Sequence, residues 1–285
     1  MRIDVAAGKL PPTLELTGRP GRPPGSVELW QPHLAENLII GFEHFDERAH
    51  PFFGIRSQLL RHAKVTGQRI FAVTSVQPRN GKTLVAVNLA AVLSRISPTV
   101  LLELDLRRPS IGARLGLPQD RAGVDDFLEG RASWRNTGTR IRGFDLTVHR
   151  VRELRDNAEQ LLASPGLGEL LAEIRASADN PICIVDSPPA VVGDDIMLIA
   201  RAIDGVLMVV EEARTPKRAL LDAINALSPT PVVGTILNRS LSSTSPGIDY
   251  DHYRPRNPQV DAPPKTGFPQ RKRRRFSKKD SGETV

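Results

Sequence analysis

The chain has 285 residues and a formal charge of +7, and the run Arg271–Lys279 (RKRRRFSKK) holds enough positive charge to account for all of that excess. No apolar stretch approaches the roughly 18 residues needed to span a bilayer, and no signal peptide opens the sequence. A single cysteine, Cys183, excludes an internal disulfide, and the six histidines are scattered rather than spaced as metal ligands.

In chain order, Lys9–Gly25 is proline-rich and reads as an extended arm. Glu28–Phe45 is expected to hold a short helix against the core, and Phe52–His62 a longer one. Ile70 onward is an apolar, β-branched run that reads as a buried strand. A loop with Pro78, Arg79, Asn80 and Gly81 follows. Lys82-Thr83-Leu84 then opens a segment with helical apolar spacing through Val85, Val87, Leu89 and Val92. Strand, glycine loop, Lys-Thr and helix form the layout of a phosphate-binding loop. Backbone N–H groups at the helix start face an anion there, the lysine reaches terminal phosphates and the hydroxyl of Thr83 holds Mg²⁺. The usual G-x-x-x-x-G-K-[ST] pattern would place glycine where this chain has Val76.

Thr99–Leu104 is the next strand and runs into Asp105-Leu106-Arg107. Val124–Leu128 and Gly166–Ala178 read as helices, with Phe144–Val148 a short strand between them. Ile182–Val185 is a strand ending at Asp186. Asp195–Ala202 (helix), Gly205–Val210 (strand), Lys217–Leu227 (helix) and Val232–Leu237 (strand) complete the pattern. Strands alternating with helices predict an α/β fold with a mostly parallel, doubly wound sheet. Ligands of such sheets lie beyond the strands' carboxyl ends, so Glu103, Asp105 and Asp186 are candidate carboxylates around a bound nucleotide and its metal. Cys183, inside the strand, reads as a small packing residue. The expected organisation is an arm and helical lead-in over 1–49, a nucleotide-binding domain over 50–239 and a flexible basic tail over 240–285.

The segments TSVQPRNGKT, VLLELDLRRPS, CIVDSPPAVVGDD, DGVLMVVEEARTPK and VVGTILNR, in this order, resemble the bacterial tyrosine kinases of exopolysaccharide and capsule assembly. That family lies in the deviant P-loop group with the MinD and ParA ATPases. The resemblance covers about His50 to Arg239. It implies a P-loop NTPase fold, ATP and Mg²⁺, and phosphoryl transfer to tyrosine. Lys82 and Thr83 fall in its Walker A segment, Asp105 and Arg107 in Walker A′ and Asp186 in Walker B. On this pattern Lys82, Glu103 and Asp105 are catalytic, with Glu103 positioning or deprotonating the acceptor hydroxyl. Pro78, Arg79, Asn80, Gly81, Lys82, Thr83 and Leu84 bind nucleotide, and Thr83, Asp105 and Asp186 hold the metal.

Four departures from the family pattern stand out. Glu103 replaces the first Walker A′ aspartate. Val76 replaces a small residue and is expected to crowd the loop. The oligomerisation motif E-x-x-R-x-x-R survives only at Arg56, with Phe53 and Leu59 at its ends. The tail has two tyrosines, Tyr250 and Tyr253, instead of a cluster; they are the candidate phosphoacceptors. The resemblance further implies a stand-alone cytoplasmic kinase at the inner face of the membrane, a membrane co-polymerase or activator as partner, and possible self-association. Arg271–Lys279 suits an anionic membrane surface, at about 1 kcal/mol per basic residue, better than specific nucleic acid. The alternatives are a MinD- or ParA-like nucleotide switch, whose signature lysine is here Gln77, or a catalytically weak adaptor.

Overall fold

The computed structural model describes residues 26–43 and 46–240. The proline-rich arm, Tyr250, Tyr253 and Arg271–Lys279 lie outside these residues. The described elements begin with β1 (Ser26–Val27), α1 (Gln31–Glu36), α2 (His50–Thr66), β2 (Ile70–Ser75) and α3 (Lys82–Leu93). They continue with β3 (Thr99–Glu103), α4 (Ile111–Leu115), α5 (Val124–Leu128), α6 (Trp134–Thr137), β4 (Gly138–Ile141) and β5 (Leu146–His149). Last come α7 (Ala158–Ala163), α8 (Pro165–Arg175), β6 (Ile182–Asp186), α9 (Asp195–Ala200), β7 (Gly205–Glu211), α10 (Lys217–Ala226) and β8 (Val232–Asn238).

The eight strands form one sheet in the order β1-β4-β5-β3-β6-β2-β7-β8. Every pairing is parallel except β4 with β5. This is the α/β, mostly parallel fold that the strand-helix alternation predicts. β2, β3 and β6 are buried along their whole length, as strands covered on both faces must be. One apolar layer packs α1, α2, α3 and α4 on one face of the sheet. The other packs α5, α7, α8, α9 and α10 on the opposite face. Each fully buried Val or Leu in these layers contributes about 1.5–3 kcal/mol over an exposed one.

Two features go beyond the sequence reading. The first is β1, which pairs with β4 at the sheet's edge, ahead of the short helix expected within Glu28–Phe45, where Leu34, Ile39 and Phe42 are buried in the core. The second feature is α3, in which ten of 12 residues are buried. A helix apolar on all sides belongs between layers rather than on a surface. Asn88, 1% exposed, is its one interior amide. Its Oδ1 accepts from Ile40 N and Gly41 N at 2.8 Å each, tying residues 38–42 over the helix. Among the described residues, no helix is long and apolar enough to cross a membrane.

From β2 the chain crosses over β6 to reach β3, and from β6 it crosses over β2 to reach β7. The crossovers diverge at the β6–β2 pair, and sheets of this kind bind ligands beyond the strands' carboxyl ends at such a switch point.

Candidate functional site

The loop between β2 and α3 lies at this switch point. Gly81 has φ +93° and Arg79 φ +68°, both left-handed, and together they turn the chain sharply into α3. The left-handed φ is what favours glycine at 81; a Cβ there would also displace the Asn238 side-chain amide. Lys82 is the first residue of α3, and the N–H groups of that first turn have no acceptor within the helix. Free N–H groups and a helix dipole at such a helix start favour an anion. Val76 does not crowd the loop, contrary to the sequence reading. Its side chain is fully buried in the apolar layer with Ile70, Ala72 and Ile196, so no glycine is needed at that turn.

Lys82, Thr83, Asp105 and Asp186 come together from α3 and the ends of β3 and β6. Lys82 Nζ donates to Asp105 Oδ2 at 2.7 Å and lies 3.7 Å from Asp186 Oδ1. Thr83 Oγ1 donates to Asp186 Oδ2 at 2.7 Å. Burial works against the Lys82 ammonium, but Asp186, Asp105 and Glu103 outweigh it and hold its pKa above the ordinary lysine value. Burial pushes the Asp186 carboxyl up, opposed by Lys82 and Thr83 and aided by the Asp105 charge. Asp186 Oδ1 is buried without a hydrogen-bond partner. A buried carboxylate oxygen that accepts no hydrogen bond, beside a hydroxyl and a second carboxylate, belongs to a hard-oxygen donor set, which suits Mg²⁺. Among the described residues no group of three His, Cys, Asp or Glu could hold a metal ion by itself. Mg²⁺ does not need one, because it keeps waters and shares phosphate oxygens.

The surrounding loops are tied to this centre. Asp105 Oδ1 accepts from Arg108 N at 3.1 Å. Arg107 makes a two-pronged pair with Asp195 at 2.6 and 3.1 Å, joining the segment after β3 to the start of α9. Thr74 Oγ1 donates to Pro188 O at 2.6 Å, and Ala190 N to Ser75 O at 2.8 Å, so the turn after Asp186 rests on the root of the phosphate loop.

Glu103 departs from the role expected of it. It is 0% exposed and pairs in register with Asp186, but both its oxygens are committed to the backbone. Oε1 accepts from Ser110 N at 2.5 Å and Ile111 N at 2.8 Å, and Oε2 from Val151 N at 2.9 Å. The extra methylene relative to aspartate carries the carboxylate to the first turn of α4, where it caps the helix start. As the structure stands, its lone pairs face these N–H groups and not an acceptor hydroxyl. Burial lifts its pKa to about 7, against the three N–H bonds.

Other features of the site escaped the sequence reading. Asp195, Glu211 and Asn238 reach the loop and its supports from distant segments, and only the quoted segments EEARTPK, VVGDD and VVGTILNR marked their neighbourhood. Cys183 is buried, which pushes its thiol pKa up, in keeping with a packing role.

No protein-family model matches the chain. It is 32% identical over 178 residues to the succinoglycan biosynthesis transport protein ExoP of Rhizobium meliloti, covering 60% of this chain and 22% of that protein. It is 30% identical over 189 residues to the tyrosine-protein kinase wzc of Salmonella typhimurium, covering 65% of this chain and 26% of that protein. The chain therefore spans about a quarter of the length of these two relatives. It is 29% identical to the tyrosine-protein kinase YwqD of Bacillus subtilis, covering 64% of this chain and 76% of that protein. Among solved structures, the VpsO kinase domain superposes with a TM-score of 0.61 at 25% identity, covering 74% of this chain and 97% of that domain. The kinase domain of the Escherichia coli tyrosine kinase ETK gives 0.62 at 20% identity, covering 73% and 84%. By sequence the chain is similar to proteins named tyrosine-protein kinases, and by fold to the kinase domains of bacterial tyrosine kinases.

Proposed function

We propose that this chain is an ATP- and Mg²⁺-dependent protein tyrosine kinase that regulates polymerisation and export of an extracellular polysaccharide. The observation that carries the reading is the meeting of four side chains at one place: Lys82 Nζ donates to Asp105 Oδ2, Thr83 Oγ1 donates to Asp186 Oδ2, and the buried Asp186 Oδ1, 3.7 Å from Lys82 Nζ, accepts no hydrogen bond. The N–H groups at the start of α3 and the Lys82 ammonium bind the polyphosphate, and Lys82 exchanges Asp105 for the transferred phosphoryl group. Thr83, Asp186 and Asp105 hold Mg²⁺, which when bound neutralises charge on the β- and γ-oxygens. The acceptor tyrosine oxygen bonds to the γ-phosphorus, the bond to the β–γ bridging oxygen breaks, and ADP leaves. Because Glu103 is occupied by three backbone N–H groups, orientation of the acceptor hydroxyl and removal of its proton fall to Asp105.

Tyr250 and Tyr253 are the proposed acceptors, in this chain or a neighbouring copy. The last described residue, Ser240, follows Asn238, which touches the phosphate loop. Extended chain covers at most about 3.3–3.6 Å per residue, so the ten residues to Tyr250 do not forbid transfer within one chain. The proposed partner is a membrane co-polymerase or activator, and the proposed location is the inner membrane face, with Arg271–Lys279 on anionic lipid.

The test incubates purified protein with γ-labelled ATP and Mg²⁺, with and without a candidate activator, and maps the label. Label on Tyr250 or Tyr253 that vanishes in Lys82→Met is the expected result. Hydrolysis without label would favour the nucleotide switch, and absence of Mg-ATP binding by calorimetry would remove both readings.

A further inference from the structure

Glu211 ends β7 beside the phosphate loop, and its carboxylate is committed to that loop. Oε2 accepts from Asn80 Nδ2 at 3.0 Å. Asn80, 0% exposed, turns its Oδ1 back to accept Gln77 N at 3.0 Å, so its amide closes the loop on itself and fastens it to β7. From β8, Asn238 Nδ2 donates to Asn80 O at 2.8 Å and fills the space beside Gly81. Glu211 is itself held: Arg239 Nη1 lies 3.2 Å from each of its oxygens, and Arg214 Nη1 3.5 Å from Oε1.

The loop needs such fastening. Arg79 is a non-glycine residue in the left-handed region, a conformation that persists only where the surroundings over-determine it. A neutral partner would also hold Asn80, but an ionised acceptor makes the stronger bond. Two arginines beside Glu211 offset its charge, so the fastening adds little repulsion toward a bound polyphosphate.

We propose that Glu211 is a positioning residue: acting through Asn80, it holds the phosphate loop in its anion-cradling shape, with Arg239 as its counter-charge. This rests on the nucleotide-binding reading above, and two readouts separate the proposal from that reading. In nucleotide-free protein, hydrogen exchange is followed at the amides within 77–84, Pro78 having none. Glu211→Ala is expected to speed exchange there while leaving α8 and β6 protected. In calorimetry with Mg-ATP, Glu211→Ala is expected to weaken binding roughly tenfold, the size set by one charge-assisted hydrogen bond. Glu211→Gln, which keeps an acceptor for Asn80, is expected to restore most of that loss. Arg239→Ala is expected to have a smaller effect that disappears in the Glu211→Ala background, because the two side chains act as a unit.

Unchanged exchange at 77–84 in Glu211→Ala would overturn the proposal, whatever the protein binds. So would wild-type-like affinity in that variant, or a Glu211→Gln affinity as weak as that of Glu211→Ala. Altered exchange in a protein that binds no Mg-ATP at all would instead overturn the nucleotide reading and, with it, the stated purpose of the fastening.

Discussion

Ionisation of Glu103 makes the stability of the strand end depend on pH in a calculable way, and replacement by glutamine removes that dependence while keeping the side chain's shape. Burial lifts the folded-state carboxyl from 4.5 to about 7. That displacement of about 2.5 pH units, at about 1.36 kcal/mol each, amounts to roughly 3 kcal/mol. Because the folded value is the raised one, the native state binds the proton more tightly than the unfolded chain does. The contribution to stability is therefore fully present below pH 4.5 and is lost as the pH rises through about 7. Glutamine cannot titrate. Its amide sets an NH₂ group against at least one of the N–H donors from Ser110, Ile111 and Val151, costing about 1–3 kcal/mol at every pH. In guanidinium unfolding followed at about pH 5 and about pH 8, Glu103→Gln should be the less stable protein at the lower pH and recover roughly 2–3 kcal/mol relative to wild type at the higher. The comparison between variants cancels the other titrating groups to first order. A stability difference that stays constant across this range would refute the reasoning, because it would mean that the three backbone bonds, and not burial, set the ionisation of Glu103.

Gly81→Ala combines a strained φ with displacement of the Asn238 amide from the loop, so it should weaken Mg-ATP binding in calorimetry by about tenfold or more while far-ultraviolet circular dichroism stays unchanged. Thr83→Val removes the hydroxyl that faces Asp186 and keeps the side chain's shape. ATP affinity in the presence of Mg²⁺ should fall roughly tenfold, with little change when the metal is chelated. Asn88→Ala leaves the N–H groups of Ile40 and Gly41 without their acceptor inside the core. A loss of about 2–4 kcal/mol in denaturant unfolding is expected, with nucleotide affinity preserved in the protein that remains folded.

The sequence by itself determined the strand, loop and helix around Lys82, the strands ending near Asp105 and Asp186, and the α/β class. These rest on local signals: β-branched apolar runs, a glycine before lysine, and apolar spacing that switches to a helical period. It also located α5 and α8 closely, because their apolar spacing is regular. β1 and β4 were not legible, since two residues leave no pattern and GTRI has no apolar run to mark a strand. The direction of Val76, which enters the core instead of crowding the loop, depended on the layer beneath it. Glu103 carries the same charge as the aspartate it replaces, yet its greater length lets it reach Ser110, Ile111 and Val151, which lie close only after folding. Asn80 and Glu211 are 131 positions apart, and Thr83 and Asp186 are 103 apart. Contacts over such separations are set by sheet order, which places β6 between β3 and β2 and puts β7 and β8 beyond β2. Residue type and local spacing named the chemistry; only the packing of parallel strands decided which side chains meet to perform it and which are spent on holding the loop in place.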